Sequence, residues 1–236
     1  MAEEYLYPGS ELHLFEKAVN WKTYFAAKLI PHIKGDVLEC GAGIGSNAAF
    51  LNNGMATTWV MLEPDANMAA CLNSKLTNKE LPANTEIFKG TIQDLIPDRK
   101  FDVIIYIDVL EHIEHDALEI TTAAKHLKTG GQLIVLAPAF QFLYNSFDKA
   151  IGHYRRYTAG HLKNLAPSSL QPRQVIYLDS MGFFASAANR LLLNQSLPSI
   201  QQIQFWDKYL IPVSRLTDRV FFFSFGKSIL AIWKKQ

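Results

Sequence analysis

The chain has almost no surplus charge of either sign. Its 236 residues carry 23 Lys and Arg against 22 Asp and Glu, a formal net charge of +1. That balance supplies neither the basic stripe that tracks a nucleic-acid backbone nor a polybasic arm for a membrane. Cysteine is scarce: only Cys40 and Cys71 are present. Two thiols make no disulfide framework and no zinc site, and they fit a reducing compartment. Long apolar runs are missing too. The nearest, "VFFFSFGKSILAIW", falls short of the roughly 18 residues of a membrane span and contains Lys227. The opening "MAEEY" is acidic and lacks the basic-then-apolar order of a secretory leader. There is no internal repeat and no low-complexity segment. These absences set the expectation of a cytoplasmic globular chain with residues 1–236 in one domain.

What the chain does have is alternation. "GDVLEC", "TTWVMLEP", "NTEIFKG", "FDVIIYID" and "GGQLIVLAP" read as strands. "GSNAAFLNN", "DANMAACLNSKL" and a long helix over about 111–127 fall between them. Residues 101–108 are almost wholly apolar, as a strand covered on both faces must be. The order argues an α/β fold, doubly wound, with helices on both faces of a mostly parallel sheet. "RQVIYLDSM" and "KSILAIWKK" bring the strands to seven. Residues 1–34 hold a helical apolar set (Leu12, Leu14, Phe15, Val19, Tyr24, Phe25, Leu29) and are expected to form a lid. Residues 35–140 are expected to form the cofactor-binding core and 141–236 the substrate side. The stretch 183–227 is too long for a hairpin loop, so it is expected to carry helices of its own.

The chemistry begins after the first strand, where the spacing is Glu39-x-Gly41-x-Gly43-x-Gly45. A dinucleotide loop, G-x-G-x-x-G, would need glycine at position 46, which is Ser46. Glu39 would repel a pyrophosphate but suits an amino group. Glu63 ends the second strand, about 20 residues beyond Gly41, where an acid accepts from ribose hydroxyls. The ligand so described has a free ribose diol and need carry no phosphate.

"VLECGAGIG", "LEPD", "GTIQDL", "FDVIIYIDVLEHI" and "LKTGGQLIVLAP" follow in an order and spacing that resemble the class I S-adenosylmethionine-dependent methyltransferases. The resemblance covers about residues 35–140 and, more weakly, 150–180. It implies S-adenosylmethionine as cofactor. Glu39 would lie at the ammonium group, with Gly41, Ala42, Gly43, Asn47 and Pro64 along the ligand and Glu63 on the ribose. Thr91 and Ile92 would border adenine, and Asp108 and Val109 the adenosine and the methyl group. Many members have an acid where this chain has Thr91, so only the backbone contact from Ile92 is expected there. "DVLEH" resembles a metal-associated motif of some quinone-pathway O-methyltransferases, and Asp108, Glu111 and His112 could hold Mg²⁺. The helix-capping reading is preferred, so no metal is expected.

The stretch "LYNSFDKAIGHYRRYT" follows the fifth strand, where the resemblance places substrate residues. His153 is the candidate proton acceptor, because imidazole titrates near neutrality, and Tyr154 is the alternative. Arg156 is a candidate anion clamp. Tyr144, Trp21 and Tyr24 are candidate substrate-binding walls. The expected activity is methyl transfer to an O or N nucleophile of a small molecule or lipid-like substrate. The fourth strand is followed by "IDVL", without the Asn/Asp-Pro-Pro-aromatic stretch of nucleic-acid methylation, so no nucleic acid is expected. The apolar "FFFSFG" and "FFASAANRLLL" favour an apolar acceptor and are compatible with peripheral membrane contact. Two rivals stand beside this reading. An NAD-type oxidoreductase is disfavoured by Ser46 and Glu39. A non-catalytic nucleotide-binding module is disfavoured by the candidate proton acceptor.

Overall fold

The most apolar stretch of the chain lies at the middle of a seven-stranded sheet. β4 (Phe101–Ile107) buries every residue but Asp102. It pairs in parallel with β1 (Gly35–Cys40) on one side and β5 (Leu127–Pro138) on the other. β2 (Ala56–Glu63) and β3 (Thr85–Lys89) extend the first edge, and β7 (Ser228–Lys235) and β6 (Leu170–Leu178) the second. The order is β3-β2-β1-β4-β5-β7-β6. β7 alone runs antiparallel to its neighbours. The sheet is therefore mostly parallel and doubly wound, as the alternation implied. This computed structural model describes Tyr7, Gly9 and residues 12–190 and 198–236. Residues 1–6, 8, 10 and 11 of the expected lid, and 191–197 of the 183–227 stretch, lie outside the described residues.

Ten α-helices lie among the described residues. They are α1 (Leu12–Phe15), α2 (Val19–Leu29), α3 (Ala48–Leu51), α4 (Ala66–Thr77), α5 (Asp116–His126), α6 (Ser146–Ala150), α7 (Ala159–Leu165), α8 (Ser180–Ala188), α9 (Ile200–Phe205) and α10 (Ile211–Val220). Alternate strand residues feed two cores, as the period of two demands. Val37, Val103, Ile105 and Ile134 meet Trp21, Phe25 and Leu29 of α2 and Ile211 of α10. Leu38, Ile104, Tyr106 and Val135 meet Ile120 and Ala123 of α5 and Leu162 of α7 on the other face.

Two expected helices are shorter than their sequence pattern. After β1 only the four-residue α3 forms, because 41–47 are taken up by a turn. The helix expected over 111–127 starts at Asp116. A 3₁₀ turn, Leu110–His112, precedes it. The Leu110 carbonyl accepts from the Ile113 N–H, closing that turn, and from the Tyr157 hydroxyl, while the Glu111 carbonyl is taken by the Tyr154 N–H.

The 183–227 stretch is fastened by buried acids. Asp218 accepts from the Tyr24 hydroxyl and from the backbone N–H groups of Asp179 and Ser180. Asp179 accepts from Ser214 and the Trp206 indole, and Asp207 from the N–H of Trp21. These bonds tie the helices after β6 to α2.

Candidate active site

The carboxyl ends of β1, β2 and β4 open on one cleft, where ligands of open α/β sheets bind. Gly41 has φ +65°, and a Cβ there would come within 2.6 Å of Val109 Cγ2. The loops after β1 and β4 approach too closely for a side chain. Gly43 also has positive φ (+57°), but its added Cβ would meet only Leu12 Cδ1, at 3.8 Å. Beyond Gly43 lies open cavity. Of the expected cofactor residues, Gly41, Ala42, Gly43, Asn47, Glu63, Pro64, Thr91, Ile92, Asp108 and Val109 line this one cavity of about 440 Å³. Trp21 lines it too.

Glu39 lies beside it, 1% exposed. One carboxylate oxygen accepts from the Trp59 indole at 2.9 Å, and Oε1 has no hydrogen-bond partner among the described residues. Burial raises this carboxyl to about 7, against the opposing pull of Trp59, Asn47 and Lys22. A buried acceptor without a partner is costly, and a ligand ammonium would satisfy it. Lys22 was not foreseen. It is buried, lines the cavity and donates to the Ser46 carbonyl at 3.2 Å. Burial lowers its ammonium to about 8. The available signal was a lysine inside the apolar run of α2, a setting lysine rarely takes.

Glu63 accepts from the Gly43 N–H at 2.7 Å and from the Asp65 N–H at 2.9 Å. It is raised by burial in spite of those bonds. Each oxygen keeps a second lone pair. Glu63→Ala is expected to weaken nucleoside binding by about 1–3 kcal/mol, the cost of poorly paired hydroxyls. Calorimetry with S-adenosylhomocysteine checks this, and an unchanged affinity removes Glu63 from the site. Asp94, the acid nearest the adenine segment, accepts from both the N–H and the hydroxyl of Thr91 and so closes a capping box.

Asp108 sits in the left-handed region, φ 52°, and opens into the cavity. Surrounding protein raises it to about 6, although His153, Lys227, Lys22 and Arg156 pull the other way. Behind it lies a buried network. Asp148 accepts from Nε and Nη2 of Arg156, both at 2.9 Å, and its Oδ1 is 2.8 Å from His153 Nδ1. Burial would raise Asp148, yet the bonds from His153 and Arg156 hold it below its ordinary value. His153 Nε2 points toward Glu111 Oε1, 3.7 Å away. Glu111 is fully buried, and neither of its oxygens has a hydrogen-bond partner among the described residues. Burial and then Asp108 push its carboxyl well up. His112 packs edge-on to His153, centroids 4.5 Å apart, and burial lowers it to about 3.

This geometry changes several expected roles. Asp108 is not part of a trio with Glu111 and His112. The group that could ligate an ion is Glu111, His112 and His153, with ligand atoms within 4.8 Å of one another. One carboxylate and two imidazoles do not suit Mg²⁺, which takes oxygen ligands. Turnover is expected to survive EDTA. A loss that Mg²⁺ restores would reverse this, and one that Zn²⁺ restores would assign the trio to a softer ion. His153 lines neither this cavity nor the second one. Tyr154 is 51% exposed, its ring 5.7 Å from the Arg155 guanidinium, so it faces solvent and not the cleft. The Tyr144 hydroxyl donates to the His153 carbonyl and the Tyr24 hydroxyl to Asp218. Neither tyrosine lines this cavity or the larger one beside it, so both are engaged in holding structure there.

A second cavity, about 1130 Å³, lies against the first, with Phe15 lining both. Phe147, Arg156, Ala185, Gln202, Phe205, Trp206 and Lys227 are among its walls. Arg156 Nη1 has no partner among the described residues. Lys227 lies over the Trp206 ring at 4.4 Å, and burial lowers its ammonium. The loop 143–158 and the helices after β6 build this cavity, whereas among the described residues nothing beyond Glu119 lines the first.

Residues 11–171 match the family described as methyltransferase domain, and the chain belongs to it. S-adenosylmethionine is the cofactor of this class, and the unpartnered Glu39 oxygen and the open space over Gly43 fit it. The chain is 31% identical over 131 residues to "Ribosomal RNA small subunit methyltransferase C" of Erwinia tasmaniensis, covering 53% of this chain and 38% of that protein. It therefore spans well under half the length of that relative. Among solved structures, an S-adenosylmethionine-dependent methyltransferase from Clostridium acetobutylicum superposes with a TM-score of 0.60 at 13% identity, covering 94% of this chain and 96% of the other. A geranyl diphosphate methyltransferase in complex with SAM superposes at 0.66 and 13% identity, covering 97% and 91%. At such identities the likeness is one of fold.

Proposed function

We propose that the protein moves a methyl group from S-adenosylmethionine to an O or N nucleophile of a small amphiphilic molecule. The observation that carries the acceptor class is the second cavity, walled by Phe147, Phe205 and Trp206 and holding two cations, Arg156 and Lys227. Such walls suit an apolar body with an anionic group. Bound S-adenosylmethionine supplies an electrophilic methyl that needs little further activation. Glu39 and Lys22 hold its charged end, Glu63 its ribose, and Ile92 its base. Phe15, between the two cavities, sets where the acceptor meets the methyl. Asp108 takes the acceptor's proton, because it lies at the end of β4, opens into the cleft, and its raised carboxyl is a base suited to neutral pH. His153, fixed by Asp148, is a positioning group that sets the charge around Asp108. Closure over the acceptor excludes water and strengthens these polar contacts.

Cell extract incubated with the protein and methyl-labelled S-adenosylmethionine tests this reading. Label is expected in organic-extractable small molecules. Label confined to ribosomal RNA would replace the acceptor class with that of the Erwinia relative.

A further inference from the structure

We propose that the outer face of α9 and α10, with the turn that follows, docks the protein on an anionic lipid surface. The face has an inverted pattern. α10 turns Ser214 and Asp218 inward, both fully buried, and Asp207 just before it is nearly so. What it shows to solvent is Leu216 at 66% exposure and Val220 at 69%, with Val213, Tyr209 and Phe205 continuing the stripe. Phe205 and Tyr209 touch, ring centroids 5.3 Å apart. The turn after the helix holds Phe222 in the left-handed region, φ 53°, and leaves it 88% exposed. A bulky residue rarely takes that conformation, and it commonly goes to glycine or asparagine. Phe221 then joins Phe225 and, through it, Phe184, so the apolar surface is continuous.

Charge selects the occupant. From Ser199 to the end of the chain the acids are Asp207 and Asp218, both buried. Lys208, in the π-helical turn Trp206–Leu210 that joins the two helices, and Arg215 and Arg219 of α10 are exposed. Spacing of 3.6 residues per turn puts Arg215 and Arg219 along one edge of the apolar stripe of α10. An apolar stripe edged by Lys and Arg is how a helix lies in the interface of an anionic membrane. A second copy fits poorly, because a two-fold contact through this face would bring the same cations together. The chain's near-neutral net charge hid this, since its acids are gathered elsewhere. Phe205 and Leu210 also wall the second cavity, so the docked face adjoins the proposed acceptor site. The inference stands on this surface alone and does not need the methyl-transfer reading.

The test is co-sedimentation of the full chain with phosphatidylcholine vesicles and with vesicles in which about 30% of the lipid is phosphatidylglycerol. Binding is expected to the anionic vesicles and to weaken at about 0.5 M salt, where exposed charges are screened. Leu216→Glu with Val220→Glu should lower the bound fraction about tenfold or more. Both positions are exposed and line neither of the two cavities, so affinity for S-adenosylhomocysteine should stay unchanged and report an intact fold. Wild-type protein that ignores anionic vesicles, or a double variant that pellets as well as wild type, overturns the proposal. So does a wild-type dimer in sedimentation that the double variant dissolves, which would assign the face to a second copy.

Discussion

Glu39→Gln is expected to stabilise the free protein at pH 8 while weakening its hold on the cofactor. In the fold this carboxyl is raised from an ordinary 4.5 to about 7. A raised carboxyl contributes stability below the unfolded value and loses it as pH climbs through the folded one. Between about pH 4.5 and 7 the free protein therefore loses on the order of 3 kcal/mol, at 1.36 kcal/mol per unit. The amide never ionises, so the variant escapes that loss and should melt higher than wild type at pH 8, with little difference at pH 4. Binding goes the other way. An ammonium loses a charged acceptor, worth about 1.5–3 kcal/mol, so affinity should fall roughly 10- to 100-fold. Melting curves at the two pH values and calorimetry with S-adenosylhomocysteine measure both. A variant that melts lower at pH 8 would mean that the ionised Glu39 already has its partner in the free protein.

The largest kinetic effect is expected at Asp108. Asp108→Asn should lower turnover by about 10²–10⁴, the usual contribution of a positioned base, with cofactor affinity changed no more than a few-fold. The pH profile distinguishes this residue from its neighbours. Wild-type activity should rise with pH through about 6, as Asp108 ionises. His153 is among the groups that hold Asp108 down. His153→Ala should therefore move the acid limb to higher pH and leave the plateau largely in place. If instead His153→Ala abolishes turnover at every pH and Asp108→Asn does not, the proton passes through the imidazole.

The cofactor side of the cleft was legible because its signals are local. Glu39, the glycines and Glu63 sit at strand ends, and strand ends can be read from apolar runs such as 101–107. The two short helices show where local reading fails. Nothing nearby in sequence says that Tyr154 and Tyr157 take the carbonyls of Glu111 and Leu110, more than 40 residues back. The substrate side fails for the same reason. "HYRRYT" offered His153 as proton acceptor, Tyr154 as its alternative and Arg156 as an anion clamp, but the chain turns Tyr154 outward and His153 and Arg156 inward onto Asp148. Nothing local marks that acid, Asp148, as the hub of the network. Lys22 was hidden by its apolar surroundings, and the exposed stripe of α10 by the overall charge balance.

The cradle beside Glu39 is expected to hold S-adenosylmethionine. Calorimetric titration of the full chain with S-adenosylhomocysteine, and separately with NADH, tests it most directly. Saturable one-to-one binding of the first, weakened by Glu39→Gln, is the expected result. Binding of NADH with no heat from S-adenosylhomocysteine would contradict it.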